Sequence, residues 1–168
     1  VSFYGQAFRI LKAPIGFIGS AIYQVILPQF TELSRKGTDL RPTILKLYFR
    51  LFLFGLPVFG MLYFFAEPLF GFLFGENWTA AGTIASYMAP WLLLNFIASP
   101  VSCLALIRNK QRKAFLITLT EISLRFAAIL YGGLHRNSDL AFILLSVVGS
   151  SVMVYALIWY YRMGKSDT

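Results

Sequence analysis

Charge is scarce in this 168-residue chain. Only 13% of its positions are charged, against roughly 25% in a soluble domain. Acids are scarcest: seven Asp and Glu face 15 Lys and Arg, for a net charge of +8. Cys103 is the single cysteine and His135 the single histidine. That excludes an internal disulfide and a Cys/His metal cluster. No Ser/His/Asp set, HExxH pair, phosphate-cradling glycine loop or acidic metal cluster is present. The expectation is a non-enzyme with no cofactor and no metal. The positive balance does not point to nucleic acid either, because no basic stripe lies on a soluble face.

What is abundant is grease. Hydrophobic residues make up 58% of the chain and aromatics 17%, more than a water-facing surface can hold. A bilayer core of about 30 Å needs about 20 apolar residues as a helix. Five segments meet that requirement: A at 2–30, B at 47–66, C at 83–107, D at 114–133 and E at 140–161, with 162–168 as a tail. The fold class expected is all-α, a polytopic membrane helix bundle of about five transmembrane helices.

The loops give an orientation. A–B carries Arg35, Lys36, Arg41 and Lys46; C–D carries Arg108, Lys110, Arg112 and Lys113; the tail carries Arg162 and Lys165. B–C has no base, and D–E has only Arg136, offset by Asp139. The positive-inside rule puts the basic loops in the cytoplasm, so the chain starts outside and ends inside. It begins with Val1 and shows no cleavable signal peptide, and an odd number of spans starts outside. A missing upstream part is the expectation. Loop B–C, LFGFLFGENW, reads either as an interfacial segment anchored by Trp78 or as a plain turn.

Several residues stand out inside the spans. Pro14, Pro57, Pro90 and Pro100 free helix carbonyls, as in broken transporter helices, although proline is also simply frequent in membrane helices. Asn95 lies between the last two. Ser146 and Ser150, beside Gly149, have a small-residue spacing that suits close helix packing. Segment D is the most unusual. Thr118, Glu121, Arg125, Ala128 and Gly132 share one face of a helix. Arg125 would lie about 17 Å deep at 1.5 Å per residue, where a charge costs at least about 2.5–3.5 kcal/mol. That face is therefore expected to turn toward protein or a wet cavity, with Glu121 and Arg125 close enough to pair. Two roles stay open for the pair: a buried brace, or part of a cavity handling a charged substrate or coupling ion. Arg50 is within snorkelling reach of the interface. Arg9 and Lys12, three apart on one face of A, lie at the outer interface or at a cavity mouth. With Arg125 they would make a cationic path suited to an anionic headgroup.

The pieces YGQAFRI, AP and IGSAIYQVILPQFTELS in A, PLFGFLFGENWTAAG and MAPWLLLNFIASPVS in B–C and C, then RNKQRK, follow in an order that resembles one family. It is that of polysaccharide (O-antigen type) flippases, of the multidrug/oligosaccharidyl-lipid/polysaccharide exporter superfamily, in their C-terminal half. The resemblance covers about 1–125. It implies one bundle of a two-bundle transporter in a bacterial inner membrane. Its substrate would be an undecaprenyl-pyrophosphate-linked oligosaccharide moved by alternating access, and its partners the membrane lipid and either an absent N-terminal bundle or a separate partner chain. In such flippases cations line the cavity; no family motif assigns them here, and it is depth and face that make Arg9, Lys12 and Arg125 the residues to hold the pyrophosphate, with Glu121 to brace Arg125 or couple an ion. A multidrug cation antiporter, or a non-transporting membrane scaffold of polysaccharide assembly, is the alternative.

Overall fold

Long apolar runs in which nearly every backbone donor can bond within its own segment fold here as helices. A computed structural model describes the backbone of residues 2–135 and 138–165, and the side chains from Gly16 onward except at 136–138. The described residues form six α-helices: α1 (Ser2–Arg35), α2 (Arg41–Phe74), α3 (Thr79–Val101), α4 (Cys103–Ile107), α5 (Gln111–Leu134) and α6 (Ser138–Met163), with a 3-10 turn at Glu76–Trp78. No strand occurs among the described residues. Among the described residues, four stretches are long and apolar enough to cross a membrane: α2, the 3-10 turn with α3 and α4, α5, and α6. The chain is a multi-pass membrane protein.

Every helix but the short α4 extends beyond its apolar window. Charged and turn-like residues were read as loop, but the backbone keeps bonding past them. Arg35 closes α1, Arg41 and Lys46 belong to α2, and Arg112 and Lys113 open α5. The aromatic stretch expected as loop B–C is the last part of α2, which continues through Pro68 to Phe74. It ends at Gly75, whose φ of 95° suits only glycine and whose N–H donates to the Gly71 carbonyl at 3.0 Å. Trp78 then packs half-buried on Phe74, ring centroids 5.4 Å apart. Segment C is two helices, not one. The break falls at Ser102, two residues after Pro100, where the hydroxyl donates back to the Ser99 carbonyl at 2.7 Å. The basic turn is closed by Asn109 at φ 52°, with Lys110 N–H on the Ala105 carbonyl at 2.8 Å.

α3 is the central helix, and α1, α2 and α6 pack around it. α5 packs chiefly on α6. Small residues set the close approaches. A Cβ on Gly82 would lie 2.6 Å from the Ala66 carbonyl oxygen of α2, and one on Gly132 would collide with Ala141 of α6. Two clusters fill the interior. One joins Phe59, Ala66, Phe70, Ala85, Met88, Trp91 and Phe96, and the other Phe30, Leu40, Ile44, Val101, Leu104 and Trp159.

The second cluster lies where the basic segments meet. Asp39 takes the Arg41 backbone N–H and its guanidinium, 2.6 Å at the shortest. The Arg41 guanidinium holds the Asp39 carboxyl below its ordinary value. Leu40 N–H donates to the Gly164 carbonyl at 2.8 Å, and an Arg108 Nη to the Lys165 carbonyl at 3.1 Å. The start of the expected tail is thus the docked end of α6; residues 166–168, like Arg136, lie outside the described residues.

Gly82 carries a close helix–helix contact with backbone, its Cβ position 2.6 Å from the Ala66 carbonyl oxygen. Gly82→Leu is expected to destabilise by about 1–3 kcal/mol, the usual cost of overpacking. Thermal unfolding in detergent would measure it, and an unchanged midpoint would show that α2 and α3 can separate freely.

Candidate functional site: a charged cluster between three helices

Helix α5 reaches its neighbours through a stripe of small and polar residues. Glu121, Ala128 and Gly132 are buried, and Arg125 lies between them with its side chain 19% exposed. The stripe departs from expectation at Thr118, which is exposed and donates its hydroxyl to the Ala114 carbonyl. Thr118 sits about 60° around the helix from Glu121, whereas Ile117 is about 40° off on the other side. Ala114 and Ile117 therefore take the inward places there, packed on the second cluster.

At the centre of the stripe three side chains converge. Arg125 donates an Nη to Glu121 Oε1 at 3.3 Å. Trp91 of α3 donates its indole N–H to the same oxygen at 3.1 Å. The Arg125 guanidinium carbon stands 4.0 Å from the Trp91 ring centroid, a cation–π contact. The pyrrole side of that indole rests on Gly149 of α6, where a Cβ would lie 2.5 Å from Cδ1. One indole thus joins α3, α5 and α6. Local sequence makes this possible. Spacing i,i+4 brings Glu121 and Arg125 together, and glycine at 149 gives the flat ring room.

The energetics suit a self-sufficient cluster. Arg125 costs at least about 2.5–3.5 kcal/mol in a span. A desolvated cation–π contact returns about 2 kcal/mol, and a hydrogen bond to a charged group about 1.5–3 kcal/mol. The two contacts are of the size needed to hold the guanidinium without any external ligand.

Other singled-out residues fall elsewhere. Ser146 is buried on the α6 face near Trp91, and the Ser150 hydroxyl is buried with no hydrogen-bond partner among the described residues. Half-buried Asn95 reaches Met153 Sδ at 4.0 Å. Arg50 is exposed, as snorkelling requires. His135 is exposed and stacks on Tyr131, and Cys103 is a buried free thiol. The helical backbone of α1 passes through positions 9, 12 and 14, but the Arg9 and Lys12 side chains lie outside the described residues. Glu121 and Arg125 are brought together as their spacing indicated. Trp91 was missed. Its signal was available: a tryptophan in mid-span needs an acceptor for its N–H, and Glu121 is the only acid deep in a span.

Removing the carboxylate should hurt more than removing the indole N–H. Glu121→Ala leaves Arg125 without its counter-ion and is expected to cost about 3–5 kcal/mol. Trp91→Phe keeps a ring over the guanidinium and is expected to cost about 1–3 kcal/mol. Denaturant unfolding of the two variants would check the order, and the reverse order would displace Glu121 as the hub.

Comparison with known proteins bears on the first half of the chain. No curated protein and no solved structure matches it. Residues 1–83 match the model of a family described as polysaccharide biosynthesis protein, so over α1, α2 and the first residues of α3 the chain is similar to that family.

Proposed function

We propose that this chain is one bundle of a transporter that flips a lipid-linked oligosaccharide across a bacterial inner membrane for cell-surface polysaccharide export. The observation that carries the reading is a guanidinium kept inside a membrane bundle, in a chain whose first half is similar to polysaccharide biosynthesis proteins. Intramembrane ionisable groups mark substrate or ion paths by default. In this reading the chain performs no covalent chemistry. The basic loops face the cytoplasm, and the substrate path forms with a second bundle. Arg125, with Arg9 and Lys12, meets the pyrophosphate, because guanidinium pairs with phosphate in bidentate fashion.

The bundle needs a state in which Arg125 is released from Glu121. Both groups sit on one helix, so release needs only a rotamer change of Arg125 and leaves the backbone in place. Glu121 keeps the Trp91 N–H meanwhile, and a proton or a cation on its carboxylate would balance the lost guanidinium.

A second reading is favoured by one feature. The cluster satisfies itself, with Trp91, Glu121 and Arg125 sharing contacts, which is what a purely structural brace in a membrane scaffold requires. The two readings separate in cells making the full-length protein. For transport, Arg125→Ala is expected to abolish surface polysaccharide while membrane protein levels hold, and the exchange Glu121→Arg with Arg125→Glu is expected to fail as well. A brace predicts that the exchange restores export, because the ion pair is kept. Normal polysaccharide in Arg125→Ala would remove Arg125 from transport altogether.

A further inference from the structure

The antiparallel pair α5 and α6 leaves a groove of about 450 Å3 on its exposed side, within the range of small-ligand sites. It is lined by Leu116, Ile117 and Thr120 of α5, and by Ser151, Val152 and Tyr155 of α6, with Lys113 at its end. Residues 113, 116, 117 and 120 lie on one face of α5, so the groove runs about 10 Å along the helix from the lysine.

Its chemistry is divided. Along its length the Thr120 and Ser151 hydroxyls are already satisfied. Thr120 donates its hydroxyl to the Leu116 carbonyl at 2.8 Å, and Ser151 donates to the Val147 carbonyl at 2.8 Å. Such a wall tolerates hydrocarbon. At its mouth the situation differs. Lys113 Nζ sits 5.4 Å from the Trp159 ring centroid, which positions the ammonium over the end of α6. Among the described residues no carboxylate pairs with Lys113. The same turn carries Lys110 and Arg112, both exposed, and no acid. A pre-positioned cation with no carboxylate partner among the described residues, at the first turn of a span and opening onto an apolar slot, complements a molecule with an anionic head and a hydrocarbon tail.

We propose that the α5–α6 groove binds an anionic phospholipid of the surrounding bilayer, with the phosphate on Lys113 and an acyl chain along Leu116, Thr120, Val152 and Tyr155. The site is separate from the Trp91–Glu121–Arg125 cluster, which lies on the inward side of α5, and it does not depend on the transport reading. The lipid is bound from one leaflet and stays there. Its effect is to cover a slot that would otherwise stand between two helices, and to fix the basic turn at the level of the phosphates.

Trp159 reports on the site, because it lies under Lys113. The 168-residue chain carrying Trp78→Phe would be reconstituted in phosphatidylcholine vesicles doped with brominated phosphatidylglycerol or brominated phosphatidylcholine. Trp91 lies on Glu121 at the inward side of α5, away from the groove, and contributes a constant background. The glycerol lipid is expected to quench Trp159 at about five-fold lower mole fraction than the choline lipid, the preference one lysine supplies. Lys113→Gln should bring the two lipids together, Lys113→Arg should keep the preference, and Lys110→Gln should leave most of it. Millimolar inorganic phosphate should not relieve the quenching, because it has no tail for the slot. Equal quenching in the parent chain, or a preference that survives Lys113→Gln, would overturn the proposal. So would relief by inorganic phosphate, which would mark a soluble-anion site, or absence of quenching by either lipid, which would mean that protein covers the groove.

Discussion

A guanidinium in a hydrocarbon slab must be enclosed by its own protein, and that requirement fixes how α5 sits. The helix is otherwise covered with exposed Phe, Leu and Ile, any of which could face any apolar surface. Only the stripe from Glu121 to Gly132 has a demanding chemistry. Once Arg125 is paired with Glu121 and stacked on Trp91, the rotation of α5 about its axis is set. Hydrophobic burial could not have set it, because lipid tails are as apolar as leucine and do not discriminate between greasy faces. A few polar contacts therefore carry specificity that the larger apolar area does not.

The same logic explains the glycines. With no hydrophobic drive between helices in lipid, association depends on close packing. α3 and α2 approach through Gly82 and Ala66, α5 and α6 through Gly132 and Ala141, and α6 receives the Trp91 ring of α3 at Gly149. Each contact would be closed by a single added methyl. The packing and the polar cluster are one arrangement, since the indole that accepts the guanidinium on its face is also the ring that needs a glycine beneath it.

Hydropathy made much of this architecture legible, because a span is a long and strongly biased signal. The all-helical class and the multi-pass character follow from it. The pairing of Glu121 and Arg125 was legible from spacing. Helix ends were not. Arg41, Lys46 and Lys113 look like loop residues by charge, yet a helix can carry charge at its ends once it leaves the apolar layer, so α2 and α5 begin earlier than their apolar windows. The aromatic run before Gly75 contains Gly71 and Pro68 and reads as a loop, interfacial or a plain turn, but it packs on α3 and is helical. Thr118 was placed inward by periodicity alone, which cannot tell which of two residues, near opposite edges of a stripe, the neighbouring helix will cover. Trp91 stayed hidden because its partner is 30 positions away in the chain, and pairing across helices leaves no local pattern.

The uninterrupted run of α2 has a mechanical meaning. Its 34 residues span about 51 Å at 1.5 Å per residue, while the acyl layer is about 30 Å thick. The excess cannot be hidden by modest tilting alone. The end that carries Phe70, Phe72 and Phe74 must stand among the headgroups or clear of them, as a continuous oar whose far blade is held by Gly82 and Thr79. Any slant of that oar shifts where the opposite tip, docked on Gly164, meets the other leaflet, so the two faces of the membrane are tied together by a single lever.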